Sequence, residues 1–176
     1  DSSYEDFLDV LMSLRYGESL SGYSSRIHYF TDWIAQNHTR GWVRDIQGPN
    51  PPFKAVQTID LWFMSRNADK YLMLRRHPEF IPEIRRQEEI YKGRKFRYIP
   101  KSAVVNSPSV RQAVRDGDII AITTNTPGLD IAHVGFAVWK KDGLHLLNAS
   151  QTHKKVVEET MTLRTYLDRH KSFTGF

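Results

Sequence analysis

Apolar residues recur along this chain at two different periods, and the change of period divides it into two halves. Over residues 4–16, Phe7, Leu8, Leu11 and Leu14 fall three and four apart, which predicts a core-facing helix. Ser2-Ser3-Tyr4-Glu5 supplies its start, with Glu5 as the capping-box acid, and Gly17 supplies a stop. A second helix is predicted from Ser24 or Ser25 to Gly41, with Ile27, Phe30 and Ile34 on one face and Trp33 beside them. Arg26, His28, Tyr29 and Asp32 lie around its edge. Gly48-Pro49-Asn50-Pro51-Pro52 marks a loop, because each proline locks its own backbone and lacks a donor. Beyond it, Asn67 is expected to cap a helix through Tyr71, Leu72 and Leu74. Pro78 opens another that carries Phe80, Ile81, Ile84 and Tyr91 as far as Gly93.

The period then shortens. Residues 96–99 read as a short strand, and Ser107-Pro108 opens a brief helix through Val110 and Val114 that stops at Gly117. Residues 118–124 read as a buried strand carrying Ile119, Ile120 and Ile122, broken by Thr126-Pro127-Gly128. Val134, Phe136 and Val138 alternate with His133, Gly135, Ala137 and Trp139, and Asp142-Gly143 offers a two-residue turn into residues 144–149. A strand at 154–158, a closing helix at 163–170 and the beginning of a strand at 172–176 follow. Helices first and an antiparallel sheet after make the class α+β, with the N-terminal helices packed on the sheet.

The 176 residues, 40% of them hydrophobic, suit one domain spanning 1–176. Charges interrupt every apolar stretch, so none reaches the roughly 18 to 20 residues of a membrane-spanning helix, and no integral membrane segment is expected. The chain has no cysteine, which rules out a disulfide, a thiolate metal site or a thiol nucleophile within these residues. It opens at Asp1 directly on a helix, so we expect residues upstream to have been removed, by signal cleavage or otherwise. Against 20 Asp+Glu stand 25 Lys+Arg, a net charge of +5, with a pI near 9.5. Arg75-Arg76-His77, Arg85-Arg86 and residues 92–97 raise nucleic-acid binding as a possibility. Glu79, Glu83, Glu88 and Glu89 interleave with them at helical spacing, which favours a solvated, paired face, so no nucleic-acid partner is expected.

Histidine alone among side chains titrates near neutrality without being perturbed. His38, His77, His153 and His170 sit in polar contexts and are expected on the surface. His28, four residues before Asp32, lacks further ligands at usable spacing and is expected in a helix-surface ion pair rather than on zinc. His133 differs: it begins a strand after the loop 127–130, and Gly135 two residues on leaves the same face uncrowded, so its ring can face a groove. A histidine simply hydrogen-bonded at a strand end is the structural alternative. No phosphate-binding glycine loop or carboxylate-rich metal loop is present, so no metal or other cofactor is expected.

The run Gly117-Asp118-Ile119-Ile120, then Asp130-Ile131-Ala132-His133-Val134-Gly135-Phe136-Ala137-Val138, then Leu146-Leu147-Asn148-Ala149-Ser150, resembles the catalytic sheet of the NlpC-type cell-wall cysteine hydrolases, which are papain-like. Tyr4-Glu5-Asp6-Phe7-Leu8 and the segment from Tyr23-Ser24-Ser25-Arg26 through Ile27-His28-Tyr29-Phe30-Thr31-Asp32-Trp33-Ile34 narrow the likeness to the N-acetylmuramoyl-L-alanine amidase-like branch. The resemblance spans nearly the whole chain. It implies amide hydrolysis by a Cys–His pair with a third polar group orienting the imidazole. His133 would be the base and Asn148 the orienting group. The nucleophilic cysteine would stand on a helix upstream of Asp1, so this chain alone is expected to be inactive.

With a two-residue turn at Asp142-Gly143, His133 and Asn148 share a face, but Asn148 falls opposite Ala137, on the order of 13 Å along the strand from His133. Contact would then require strong twist or a bulge, and Ser150 or Gln151 stay open as partners. The implied substrate is a peptidoglycan fragment, cut between muramic acid and L-alanine, with anhydro-muropeptides as one form. Arg26, His28, Tyr29 and Trp33 are the candidate ligand contacts, through aromatic stacking on sugar and an arginine on a carboxylate. That substrate implies the cell envelope (periplasm) or the exterior. A non-catalytic muropeptide-binding module is the alternative, and the oligomeric state is left open.

Overall fold

The computed structural model describes residues 3–16 and 22–176. Ser2 and Gly17, the expected helix start and stop, lie outside the described residues. The contacts divide the chain into two compact units, one of Asp1–Asp45 with Asp60–Gly93 and the other of Ile46–Ile59 with Arg94–Phe176.

The first unit is helical. Its opening helix α1 (Tyr4–Tyr16) is capped one residue later than expected. Ser3 Oγ accepts from the Asp6 N–H at 3.1 Å, and Asp6 Oδ2 accepts from the Ser3 N–H at 2.7 Å, a reciprocal box built on Asp6 rather than Glu5. The Ser3 N–H, seconded by the Ser3 side chain, holds the Asp6 carboxyl below its ordinary value. The predicted core-facing stripe is not buried: Phe7 is 58% exposed, and no residue of α1 counts among the buried ones described. Periodicity fixes which residues share a face but not what covers them.

The second helix, α2 (Phe30–Thr39), starts later than predicted. Tyr23–Ser25 close a single 3₁₀ turn, with Ser25 Oγ donating to Gly22 O at 2.8 Å, and the Ile27 N–H donates to Arg15 O at 2.8 Å. That donor is lost to a helix, and Arg26 and Tyr29 are extended instead. Three more helices follow, α3 (Phe63–Arg66), α4 (Leu72–Arg76) and α5 (Ile81–Ile90). Asn67 does not cap through its side chain; its Nδ2 donates back to Phe63 O at 2.8 Å. The unit is pinned inside by Glu88, 1% exposed, whose Oε1 accepts from Tyr29 Oη at 2.7 Å and the Ser65 N–H at 3.0 Å.

The second unit carries the sheets. A two-stranded sheet pairs β1 (Ala55–Thr58) with β2 (Lys95–Tyr98) antiparallel, and β1 has no counterpart among the predicted elements. The short helix α6 (Pro108–Ala113) forms as expected, with Ser107 Oγ accepting from the Val110 N–H at 3.4 Å. The remaining elements are β3 (Ile119–Thr124), β4 (Ile131–Trp139), β5 (Leu144–Ser150), β6 (Lys155–Glu158), α7 (Leu163–Asp168) and β7 (Phe173–Gly175). The five strands order β6-β5-β4-β3-β7, every pair antiparallel. Ile120, Ile122, Ala137, Leu144 and Leu146 form one core with Leu163 and Leu167 of α7. The class is therefore mixed α+β with antiparallel sheets.

The β4–β5 connection departs from expectation. Trp139 pairs with Leu144, so the loop is four residues, 140–143, closed by Lys140 N–H to Gly143 O at 2.8 Å. Asp142 is withdrawn from a two-residue turn because its carboxylate faces His145 Nε2 at 3.0 Å. Every pair beyond the loop moves by two residues, which preserves the face of each side chain and changes its opposite number.

Candidate functional site

His133 stands on β4 just after a bulge. Ile122 of β3 pairs with His133 and Thr123 pairs with Ile131, so Ala132 is the extra residue. A bulge bends its strand and re-aims the side chains beside it. Gln57 Nε2 holds this end of the sheet by donating to Thr124 O at 3.3 Å and Asp130 O at 3.1 Å.

The two-residue shift in register completes the arrangement. Ala137 lies opposite Leu146 rather than Asn148, and the ladder continued past Phe136↔Leu147 sets Asn148 level with Gly135, diagonal to His133. Diagonal neighbours on one sheet face are within reach of a side-chain hydrogen bond. His133 Nε2 accordingly lies 2.8 Å from Asn148 Oδ1, and Asn148 is 3% exposed. Gly135 does not leave open space: a Cβ there would sit 2.6 Å from Leu147 O and 2.7 Å from Leu146 Cδ1, so glycine lets β5 approach. Ser150 Oγ is occupied by the His153 N–H at 3.2 Å.

Two residues that sequence reasoning missed complete the surroundings. Asn148 Nδ2 donates to Glu159 Oε1 at 3.0 Å, and Glu159 is buried just beyond β6. The Tyr166 ring on α7 lies 6.3 Å from the His133 ring, followed by His170 at 5.1 Å from Tyr166 and Phe173 at 4.4 Å from His170. Burial, reinforced by the Glu159 charge, pushes the Tyr166 phenol above its ordinary value, so it stays neutral. Neither residue carries a sequence signal: Glu159 joins the site only through the Leu147↔Glu158 register. Buried His145 was missed too; its ring spans Glu159 O at 2.9 Å and Asp142 Oδ1 at 3.0 Å.

The four candidate ligand contacts belong to the helical unit. Tyr29 is withdrawn: it is 5% exposed, and its hydroxyl both donates to Glu88 and accepts from the Met64 N–H at 2.9 Å. Burial pushes its phenol far above the ordinary value. Trp33, half-buried, stacks on Phe30 with centroids 4.8 Å apart and planes 11° apart. Arg26 is exposed on extended backbone.

His28 makes no helix-surface pair with Asp32, because it precedes α2 and Asp32 is buried against Tyr91 Oη at 2.7 Å. Its Nε2 donates to Tyr23 O at 2.9 Å, and burial holds its pKa below the ordinary 6.5. The unfolded chain therefore binds the proton more readily, and stability is expected to fall as pH drops below about 6.5. Melting temperatures between about pH 7 and pH 5 check this, with a shallower slope expected in His28→Gln. An unchanged slope would remove His28 as the cause.

A family model described as AmiA-like, N-acetylmuramoyl-L-alanine amidase-like, matches residues 1–175. An N-acetylmuramoyl-L-alanine amidase crystal structure from Bacteroides uniformis superposes with a TM-score of 0.91 at 36% identity, covering 99% of this chain and 73% of that one. A Bacteroides fragilis protein with a provisional xylanase designation gives a TM-score of 0.89 at 36% identity, covering 99% of this chain and 74% of that one. A Legionella pneumophila protein, 23% identical over 98% of this chain and 68% of its own, shares the fold with a TM-score of 0.66. No match was found among curated proteins. With a model match over all but its last residue, and with relatives of this identity and coverage, the chain belongs to the N-acetylmuramoyl-L-alanine amidase-like family.

Proposed function

We propose that this chain is a papain-like, NlpC-type amidase domain that hydrolyses the N-acetylmuramoyl-L-alanine bond of muropeptides, anhydro-muropeptides among them. The observation that carries the reading is the 2.8 Å contact between His133 Nε2 and Asn148 Oδ1 in a member of this family. A base held by a second polar group is the arrangement that activates a nucleophile. His133 takes the proton of a cysteine thiol, the thiolate attacks the lactyl carbonyl, and His133 returns the proton to the departing L-alanine nitrogen. Water then attacks the thioester, restoring the thiol and freeing the carboxylate. The 176 residues hold no cysteine, so the thiol in this proposal comes from outside Asp1–Phe176.

Arg26, His28 and Trp33 remain the proposed ligand contacts, and the cell envelope or exterior the proposed location. Among the described residues no helix is long and apolar enough to cross a membrane. Glycoside hydrolysis, by contrast, runs on two carboxylates flanking the bond. Glu159, the buried acid behind Asn148, turns its Oε1 onto Asn148, an arrangement that fits amide rather than glycoside chemistry.

The test is the intact mass and N-terminal sequence of the native gene product, followed by an assay of that protein on an anhydro-muropeptide. Release of free peptide and intact disaccharide by a cysteine-bearing protein is the expected result. A native protein without cysteine, or one that leaves the amide whole, overturns the reading in favour of a muropeptide-binding module.

A further inference from the structure

Glu159 is an acid with 7% of its surface exposed, and its place is set from both sides of its own backbone. Its N–H donates to Leu146 O at 2.9 Å, and its carbonyl oxygen receives His145 Nδ1 at 2.9 Å. Its side chain reaches Asn148 Nδ2 at 3.0 Å. An ionised carboxylate only accepts hydrogen bonds, so the end of the Asn148 amide turned toward it is the NH₂ group. The carbonyl end, Oδ1, is thereby left for His133, 2.8 Å away. Oδ1 carries no hydrogen, so the proton in that bond belongs to His133 Nε2, and the bare lone pair of the neutral ring sits on Nδ1.

From this chain of bonds we infer that Glu159 is a positioning residue that sets the tautomer of His133 through the orientation of Asn148. The inference deepens the function proposed above, since it rests on His133 being the base, and it assigns the basic atom to Nδ1. Without an acceptor at residue 159, Asn148 can turn its amide over and donate its NH₂ to His133 Nε2. The ring proton then moves to Nδ1, and no lone pair faces the nucleophile. The three residues come from β4, β5 and the segment after β6, on one face of the sheet, at the end of the core formed with α7.

The experiment uses the full-length protein labelled with ¹⁵N-histidine, with the His133 signals identified by their loss in His133→Gln. Two-bond ¹H–¹⁵N correlation at about pH 8, where an ordinary histidine is neutral, reads the tautomer directly. Wild type is expected to show His133 protonated on Nε2 alone. In Glu159→Met, similar in length but with only a weakly accepting thioether in place of the carboxylate, the Nδ1-protonated form is expected to appear, with kcat down roughly 10- to 100-fold and KM unchanged. Glu159→Gln can face Asn148 with either end of its amide, so both tautomers and an intermediate kcat are expected. A wild-type ring protonated on Nδ1 would overturn the inference. So would a folded Glu159→Met that keeps Nε2–H alone; if that variant does not fold, Glu159→Gln with a single Nε2–H tautomer has the same force. A wild-type protein inert on amides would remove the amidase reading, while the tautomer readings would still decide the assignment of Glu159.

Discussion

Full-length protein carrying His133→Ala is expected to lose at least about 10³-fold in kcat on an anhydro-muropeptide while keeping its fold. A positioned general base contributes about 10² to 10⁴ to a rate, and more where it also generates the nucleophile. The structural cost is small by comparison. His133 is half-buried, and the bond it makes to Asn148 Oδ1 is of the kind worth about 1 kcal/mol net. That corresponds to a shift of about 2 to 4 °C in Tm for a chain of this size. Asn148→Ala should give a smaller loss of kcat, because the imidazole survives but loses the group that orients it. The outcome that sinks the proposal is a folded His133→Ala protein with kcat within about tenfold of wild type. Comparing kcat with Tm separates the two roles, since a histidine that merely ties down a strand end would lower the second and spare the first.

Among the described glycines, Gly175→Ala should have the largest effect on stability. A Cβ at Gly175 would lie 2.1 Å from Ile99 O and 2.9 Å from Ile99 C, so the obstacle is backbone. Rotation of a side chain cannot relieve it. Gly175 is trapped between two partners: it pairs with Thr123 of β3 on one side and bridges Pro100 on the other. Phe176 exchanges both backbone hydrogen bonds with Ile99, at 2.7 and 3.0 Å. To admit a methyl, β7 must move off Ile99, opening the core that holds Ile99, Ile122 and Phe173. A loss of about 3 kcal/mol is expected, read as a fall in Tm of roughly 6 to 12 °C. A variant within about 1 kcal/mol of wild type would mean that β7 is not held as described.

Much of this architecture is local enough to be legible in the sequence. Ser107-Pro108 caps α6 because a hydroxyl and a proline satisfy or omit the first donors of a helix whatever surrounds them. The strand around Ile120 announces itself through its short apolar run, and the one around His133 through alternation. Helix boundaries were less legible where a distant group competes for a backbone donor. The Ile27 N–H, which a helix from Ser24 would use, is taken by Arg15 O, and α2 waits until Phe30.

By itself, then, the sequence determined where the strands of the five-stranded sheet lie, which side chains share a face along a regular strand, and that one histidine stands at the start of a sheet strand beside a loop. Those properties follow from backbone sterics and from periods of two and 3.6, which act within a few residues. Tertiary structure alone decided that Asn148 meets His133 directly, because that depends on a four-residue loop with Asp142 drawn off by His145, and on the bulge at Ala132. It alone brought Glu159 behind Asn148, across a strand pair whose register no local pattern encodes. A shift of two residues leaves the hydrophobic pattern of a strand satisfied equally well, so the choice falls to the summed hydrogen bonds and packing of the whole sheet.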